Sequence, residues 1–319
     1  MRKAVLLFNE RSGGRRNHRE NDLRIALRHL CDAGVTCSLV RTQSSDDAAE
    51  QARIAVGEGC DTVFACGGDG TVHDVLQGMV GSEAALGVVP LGTANALAHD
   101  LGIPLDPVRA VRAVLPAKPR RIAVGRIQVQ GIKGEAVSRY FTVAAGIGVD
   151  AHLFYKLNAT TKQKLGMRAY YAKAWHLWFT HRMERFRVQW NNGEGPVACE
   201  GVTELLAVRI RNFGGVLQEL APGASLDRND LRLVVCRTSS RASYLMYVVR
   251  GLLGQRWNVG GVELVHADSV SCAYSLQPAA LAGYTGPRVY VEADGELIGT
   301  LPAEISILPG ALTILAPNS

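Results

Sequence analysis

Over the first third of the chain, short β-type apolar runs alternate with stretches of helical periodicity, and this alternation restricts the fold more than any other feature. Ala4–Phe8, Val35–Arg41, Thr62–Cys66 and Leu86–Val89 read as strands. Asp22–Cys31 carries Leu23, Ala26, Leu27 and Leu30 at helical spacing, with Gly34 suited to the position past its end. A second helix is capped by Asp46 and runs through Ala55–Val56. A third covers Thr71–Val80, and a short one lies near Asn95–Leu101. Such a repeat packs as a parallel sheet covered by helices. Prolines 104, 107, 116 and 119 then punctuate the chain around a last helix at Val108–Leu115.

From about Ile122 the texture changes. Ile122–Val129, Tyr140–Ala145, Leu205–Ile210, Leu231–Cys236, Val262–Val265 and Val289–Glu292 are short, β-rich and separated by glycine and polar turns, the pattern of a sandwich. Helical stretches near Leu165–His181 and Ser243–Leu253 interrupt it. Ile305–Leu308 and Leu312–Leu315 read as two further strands around Pro309-Gly310. The chain's 319 residues exceed the roughly 250–300 at which a single core stops growing, so two domains are expected.

Apolar residues at 47% and charged residues at 20% exclude disordered, collagen-like and mucin-like classes. The apolar run after Met1-Arg-Lys stops at Asn9-Glu10, short of the roughly 7–15-residue core of a signal peptide, so a cytoplasmic protein is expected. Seven cysteines form no C-x-x-C pair and are expected to be reduced, mostly buried thiols rather than metal or redox groups. The net charge of +6 suits anionic partners such as nucleotide phosphates or acidic lipid head groups.

Each of the four strands runs directly into a small or polar segment: Asn9–Arg16, Thr42, Gly67–Thr71 and Leu91–Asn95. In an open parallel sheet the carboxyl ends of the strands line one crevice, where ligands bind. Gly67-Gly68-Asp69-Gly70-Thr71 is the sharpest of the four. Three glycines let backbone N–H groups turn towards an anion, and a helix amino end adds its dipole. A lone carboxylate, Asp69, in a phosphate-binding turn is expected to face a metal ion, a hydroxyl or a ribose. Arg11, Arg15 and Arg16 after the first strand suit phosphate contact. There is no P-loop, G-x-S-x-G or H-E-x-x-H motif. Gly146-Ile-Gly-Val-Asp-Ala151 imitates a dinucleotide fingerprint but is read as a turn into a helix. His176 and His181, five apart, make a poor metal pair.

Gly67-Gly-Asp-Gly-Thr71 with Pro90-Leu-Gly-Thr-Ala-Asn95 resembles the diacylglycerol kinase catalytic domain family, which includes bacterial soluble lipid kinases and, more remotely, sphingosine and ceramide kinases. The match extends to Asn9-x-x-Ser-Gly13, Thr42, Ala221-Pro222-x-Ala224 and Asp294-Gly295-Glu296, in order along nearly the whole chain. The glycine turn alone is shared with NAD kinases and phosphofructokinases. The resemblance implies an α/β fold class: a Rossmann-like nucleotide-binding α/β domain (1–121 plus 304–319) and a carboxyl-terminal β-sandwich domain that takes the lipid (122–303). It implies ATP against Asn9, Ser12, Gly13, Thr42, Gly67, Gly68, Asp69, Gly70, Thr71, His73 and Thr93. It makes Glu296 the proton acceptor, with Asp294 beside it and Asp69 as a third catalytic candidate.

The implied activity is ATP-dependent phosphorylation of a lipid alcohol, first diacylglycerol, then a sphingoid base, ceramide or polyprenol. Kinase action on a soluble substrate and a non-catalytic lipid or nucleotide sensor stay open. Three departures from the family pattern stand out. Glu10 replaces the usual Pro, and His73-Asp74 stand where Asn and Glu are common. The family's magnesium-binding Asp-Gly after Ala-Pro-x-Ala is here Arg228-Asn229. Asp227 or Asp230, with Ser225, is the remaining candidate set for that accessory Mg2+; nucleotide-bound Mg2+ is expected regardless.

From Phe154 to Trp190 the chain holds eight Lys or Arg against one acid, Glu184, and nine of its 20 aromatics. Tyr171, Trp175 and Trp178 share a helical face. Cations and aromatics without acids fit an interfacial helix on anionic lipid, and Arg241–Trp257 is a second such segment. Core helices with snorkelling cations fit the same pattern. Peripheral membrane association is expected and nucleic acid binding is not; a homodimer is left open.

Overall fold

A computed structural model of the chain describes residues 1–9, 16–149, 151, 183–193, 195–214, 219–275 and 287–317. The amino-terminal lobe runs β1 (Lys3–Asn9), α1 (Arg16–Asp32), β2 (Thr36–Thr42), α2 (Ser45–Gly57), β3 (Thr62–Gly67), α3 (Asp69–Met79), β4 (Ala85–Pro90), α4 (Ala96–Asp100) and α5 (Pro107–Val114). The apolar runs that predict β1, β3 and β4 are buried along almost their whole length, as a sheet covered on both faces requires. α1 packs with α5, and α2 with α3. α2 is capped by Ser44 rather than Asp46. The Asp47 amide donates to Ser44 Oγ (3.2 Å) while Gln43 N donates to Asp47 Oδ2 (2.7 Å), so the serine caps the helix and the aspartate ties down the residue before it.

The four strands are parallel in the order β2-β1-β3-β4. The chain leaves β1 in one direction for β2 and then crosses back to β3 on its other side. The order therefore reverses between β1 and β3, and the crevice at such a switch point is where open α/β sheets hold ligands. The Gly67–Thr71 turn leaves the sheet at that point.

The second lobe follows with β5 (Arg120–Gln130), β6 (Ala136–Phe141), β7 (Ala144–Gly148), β8 (Phe186–Asn191), β9 (Pro196–Val202), β10 (Glu204–Val208), β11 (Leu231–Cys236), α6 (Arg241–Leu252), β12 (Val262–Ala267), β13 (Ser269–Tyr274), β14 (Tyr290–Ala293) and β15 (Glu296–Ile314). One antiparallel layer is β12-β11-β10-β7-β14-β15, and the other joins β9, β8, β13, β15, β5 and β6. Between them lies a core that includes Ile127, Phe141, Phe186, Leu205, Leu233, Val291 and Ile305. The molecule is thus an α/β lobe plus a β-sandwich.

Three sequence expectations change. The expected run Tyr140–Ala145 is broken into β6 and β7. Gly146 and Gly148 lie inside β7 rather than in a turn, with helical backbone starting at Val149. The two expected terminal strands are one, β15. It pairs with β5 almost throughout, its ladder shifting register between Leu308 and Leu312, where Gly310 sits at φ 58°. Beyond that irregularity Thr313 and Ile314 lie parallel to β4. β15 therefore supplies Leu301, Ala303 and Ile305 to the sandwich core and Leu312 and Ile314 to the core of the first lobe.

Candidate active site

The turn that leaves β3 is packed against the turn that leaves β4 with no side chain between them. A Cβ on Gly68 would stand 3.1 Å from Gly92 Cα, and one on Gly92 would meet Gly68 Cα and Asn95 Oδ1 (2.7 Å). Any larger residue at either position forces the two backbones apart. Gly68 is also the cap of α3, and no side chain accepts a hydrogen bond there. The helix amino end therefore keeps its positive dipole directed into the crevice.

Asn95 closes the second turn as a backbone would. At φ 50°, its Oδ1 accepts from Gly92 N (2.9 Å) and its Nδ2 donates to Gly92 O (3.1 Å). Asp69 reaches across from α3: Oδ2 accepts from Asn95 N (2.9 Å) and Oδ1 from Ala96 N (2.7 Å). Both carboxylate oxygens are engaged by amides, so Asp69 positions the second glycine turn rather than presenting a free carboxylate. Burial pushes its carboxyl above the usual aspartate range although the two amides favour the ionised form.

From the other lobe, the β14–β15 hairpin brings Asp294 and Glu296 to the same place. Asp294, at φ 49°, is buried; its Oδ1 accepts from Val143 N (2.9 Å) and Ala144 N (3.1 Å), and its Oδ2 from Thr142 N (3.1 Å). Bending three successive amides around one carboxylate is what separates β6 from β7. Asp294 Oδ2 also lies 3.5 Å from Nδ1 of buried His73. Gly295 N donates to Glu292 Oε2 (2.7 Å) and tightens the hairpin.

Glu296 then projects over the first lobe. Its Oε1 stands 2.7 Å from where a Cβ on Gly70 would be. It keeps access to solvent, yet desolvation by the surrounding protein pushes its carboxyl above the usual glutamate range. The negative charge of Asp74 adds to that rise, and His73 opposes it. Asp74 is itself raised by burial, against a hydrogen bond from the Ser45 side chain.

The other expected nucleotide residues divide. Asn9 and Thr42 are register partners at the carboxyl ends of β1 and β2, with the buried Thr42 hydroxyl donating to Phe8 O (3.3 Å). Thr71 is buried beneath Gly67, whose Cβ would strike it. Thr93 is exposed in the second glycine turn. His73 faces Asp294 rather than the crevice. Ser12 and Gly13, like Arg11 and Arg15, lie outside the described residues.

Sequence reasoning missed Gln77. Its Nε2 donates to Tyr140 O and its Oε1 accepts from Tyr140 N, both at 2.9 Å, so one amide side chain continues the edge of β6. Asp69, His73 and Gln77 recur every four residues along α3, on a line separate from Asp74. That polar stripe was the available signal.

The accessory metal candidates do not fit a divalent cation. Asp227 is ion-paired with Arg120 and, at 3.0 Å, with Arg211, and its Oδ2 also accepts from Ser225 Oγ (3.3 Å). Asp230 is ion-paired with Arg228, and His266 Nδ1 is 3.1 Å away. Behind them the fully buried Arg209 donates to the carbonyls of Ala123 (3.1 Å), Leu226 (3.4 Å) and Asp230, and burial lowers its pKa to about 10. Both carboxylates are neutralised and a buried guanidinium already occupies the carbonyls, so a metal ion would meet net repulsion. Among the described residues no cluster of three or more His, Cys, Asp or Glu could hold a metal.

Most of the aromatic, basic stretch from Phe154 lies outside the described residues. Its end is not interfacial: in β8 Phe186, Val188 and Trp190 point into the sandwich core, while Arg187, Gln189 and Asn191 point out. This is plain two-residue alternation.

Residues 3–127 match the family model for a diacylglycerol kinase catalytic domain, and residues 142–316 that for a YegS C-terminal NAD kinase beta sandwich-like domain. A diacylglycerol kinase of Bacillus subtilis (strain 168) is 27% identical over 100% of this chain and 97% of its own. One from Staphylococcus aureus (strain bovine RF122 / ET3-1) is 26% identical over 99% and 93%. Among solved structures, a diacylglycerol kinase from Bacillus anthracis str. Sterne superposes with a TM-score of 0.69 at 17% identity, covering 99% of this chain and 96% of that one. Yeast NADH kinase complexed with NADH superposes at 0.52 and 9% identity, covering 100% and 84%. These two likenesses are of fold.

Proposed function

The chain belongs to the family of kinases that joins a diacylglycerol kinase catalytic domain to a YegS-type sandwich, and on that premise we propose that it transfers the γ-phosphoryl group of ATP to the hydroxyl of a membrane lipid alcohol, with diacylglycerol the first candidate and phosphatidic acid its product. The observation that carries this reading is Glu296 standing over Gly70. One lobe supplies a polyphosphate cradle, and the other places a carboxylate at its rim. Phosphoryl transfer asks little of a protein beyond positioning, charge stabilisation and removal of the acceptor's proton.

The backbone of Gly67–Gly70 and the amino end of α3 take the phosphates, and Asp69 and Asn95 hold the second glycine turn against them. Glu296 Oε1 accepts the hydroxyl proton. Its raised pKa brings it nearer the operating pH, where a general base works best. ATP enters as its magnesium complex, which neutralises phosphate charge.

A lipid substrate requires a route to a bilayer, and α6 with the residues after it supports one. Leu245, Met246, Val248, Leu252, Leu253 and Trp257 are exposed there, more than half of the large exposed apolar side chains among the described residues. Arg241–Trp257 contains three arginines and no acid, although Arg256 pairs with Glu219 at 3.2 Å. An apolar, acid-free exposed face of this kind fits an anionic bilayer surface. Among the described residues no helix is long and apolar enough to cross a membrane.

The test is incubation with radiolabelled ATP, magnesium and a panel of lipid alcohols in mixed micelles, followed by thin-layer chromatography. Label should enter a lipid and fail to do so with Glu296→Gln. Label entering only a soluble acceptor would overturn the reading.

A further inference from the structure

The sequence leads to the expectation of scattered, inert thiols. The structure instead brings two of them into contact. Cys31 lies in the last turn of α1 and is exposed; Cys37 is the second residue of β2 and is half-buried. Their sulfurs are 2.8 Å apart, and Cys37 Sγ also donates to Leu27 O (3.5 Å). The other five cysteines, Cys60, Cys66, Cys199, Cys236 and Cys272, are buried. Only the tight turn at Ala33–Val35 separates α1 from β2, with Gly34 N donating to Cys31 O (2.9 Å) and Val35 N to Leu30 O (3.0 Å). The pair is therefore fixed by local geometry.

The geometry points to Cys31–Cys37 as a surface dithiol that a low-molecular-weight disulfide converts reversibly to an intramolecular disulfide. The Cys31 thiolate attacks one sulfur of the small disulfide, RSSR; the S–S bond breaks, RS⁻ leaves, and Cys31 becomes a mixed disulfide. The Cys37 thiolate then attacks the Cys31 sulfur and expels the second RS⁻. In sum the protein loses two protons and two electrons, and RSSR is reduced to two RSH.

Burial and the neighbouring Cys31 push the Cys37 thiol up to about 12, so the second step is slow at neutral pH and quickens as pH rises. Among the described residues β2 pairs with β1 alone and is the outermost strand of its sheet. The bond fastens the carboxyl end of α1 to that edge, far along the strand from Thr42.

Both cysteines fall on one tryptic peptide, His29–Arg41, so the bridge is read directly. The full-length reduced protein is incubated with glutathione disulfide at pH 7 and pH 9, then alkylated with iodoacetamide, digested and weighed. The expected result is a His29–Arg41 peptide lacking two hydrogens and any alkyl group. It should form faster at pH 9 and be reversed by dithiothreitol, while the five buried cysteines stay reduced. Cys37→Ser should stop at glutathione on Cys31, and the bridged wild-type protein should melt at a higher temperature than the reduced one. Glutathione persisting on Cys31 of the wild type at both pH values, or Cys31 and Cys37 both alkylated after exposure, would overturn the inference.

Discussion

Glu296 receives its character first from desolvation and then from charges in the other lobe. It is the first residue of β15, yet the charges that tune it, Asp74 and His73, sit on α3. A general base works only when ionised, so the rate falls as pH drops through its raised pKa. Removing the Asp74 charge lowers that pKa. The acid limb of the kcat profile for Asp74→Asn should therefore move to lower pH than in the wild type; a shift to higher pH would contradict this placement of Asp74. Glu296→Gln should cost about 10²–10⁴-fold in kcat with ATP affinity retained, measured by turnover and by titration with a non-hydrolysable nucleotide.

At this scale the sequence is legible where a residue's job is local. Three glycines before a helix announce an anion cradle whatever surrounds them. Asp294 is not legible in the same way. Its identity gives no hint that the amides of Thr142, Val143 and Ala144 wrap it, because those partners lie about 150 positions away along the chain.

Between elements, the two glycine turns and α3 form one unit, and substitutions there should separate stability from chemistry. Gly70 lies within α3, where alanine is favoured over glycine by about 1 kcal/mol. Its new methyl would meet only the tip of the flexible Glu296 side chain. Gly70→Ala should therefore keep its melting temperature and lose turnover. Gly92→Ala drives a methyl into the backbone of Gly68 and should lower the melting temperature as well. Equal effects of the two in calorimetry would show that the turns do not pack as described.

Helix–strand alternation is readable from spacings such as Leu23, Ala26 and Leu30, which are set by one element's own burial. The seam made by Gln77 and Tyr140 is not, since it joins groups 63 positions apart through polar atoms that carry no periodicity. β8, β9 and β13 also escape the sequence reading: their polar outward residues dilute the apolar signal. β15 escapes for another reason, because Pro309-Gly310 has the composition of a turn while the ladder to β5 absorbs it as an irregularity.

For the whole molecule, β15 makes two cores into one cooperative structure. The protein should unfold in a single calorimetric transition. Deleting residues 311–319 should uncover β4 and remove Leu312 and Ile314 from their core, with loss of the folded first lobe by circular dichroism. Two well-separated transitions in the intact chain would contradict this.

The exposed side of α6 belongs to the same scale. Leu245→Glu with Leu252→Glu should reduce co-sedimentation with anionic vesicles while turnover of a short-chain, water-dispersed diacylglycerol is kept. Loss of both activities together would instead place α6 in the folding core.

The ribbon of β5 and β15 has a mechanical meaning. His73 and Gln77 clamp one side of the cleft to the hairpin and to β6, so the lobes cannot simply swing apart there. The ladder shifts register between Leu308 and Leu312, so a twist between the lobes would be taken up most easily there. A nucleotide tugging on the glycine turns would load the ribbon as a torque, and the far end of that same strand is the carboxylate that must meet the incoming alcohol.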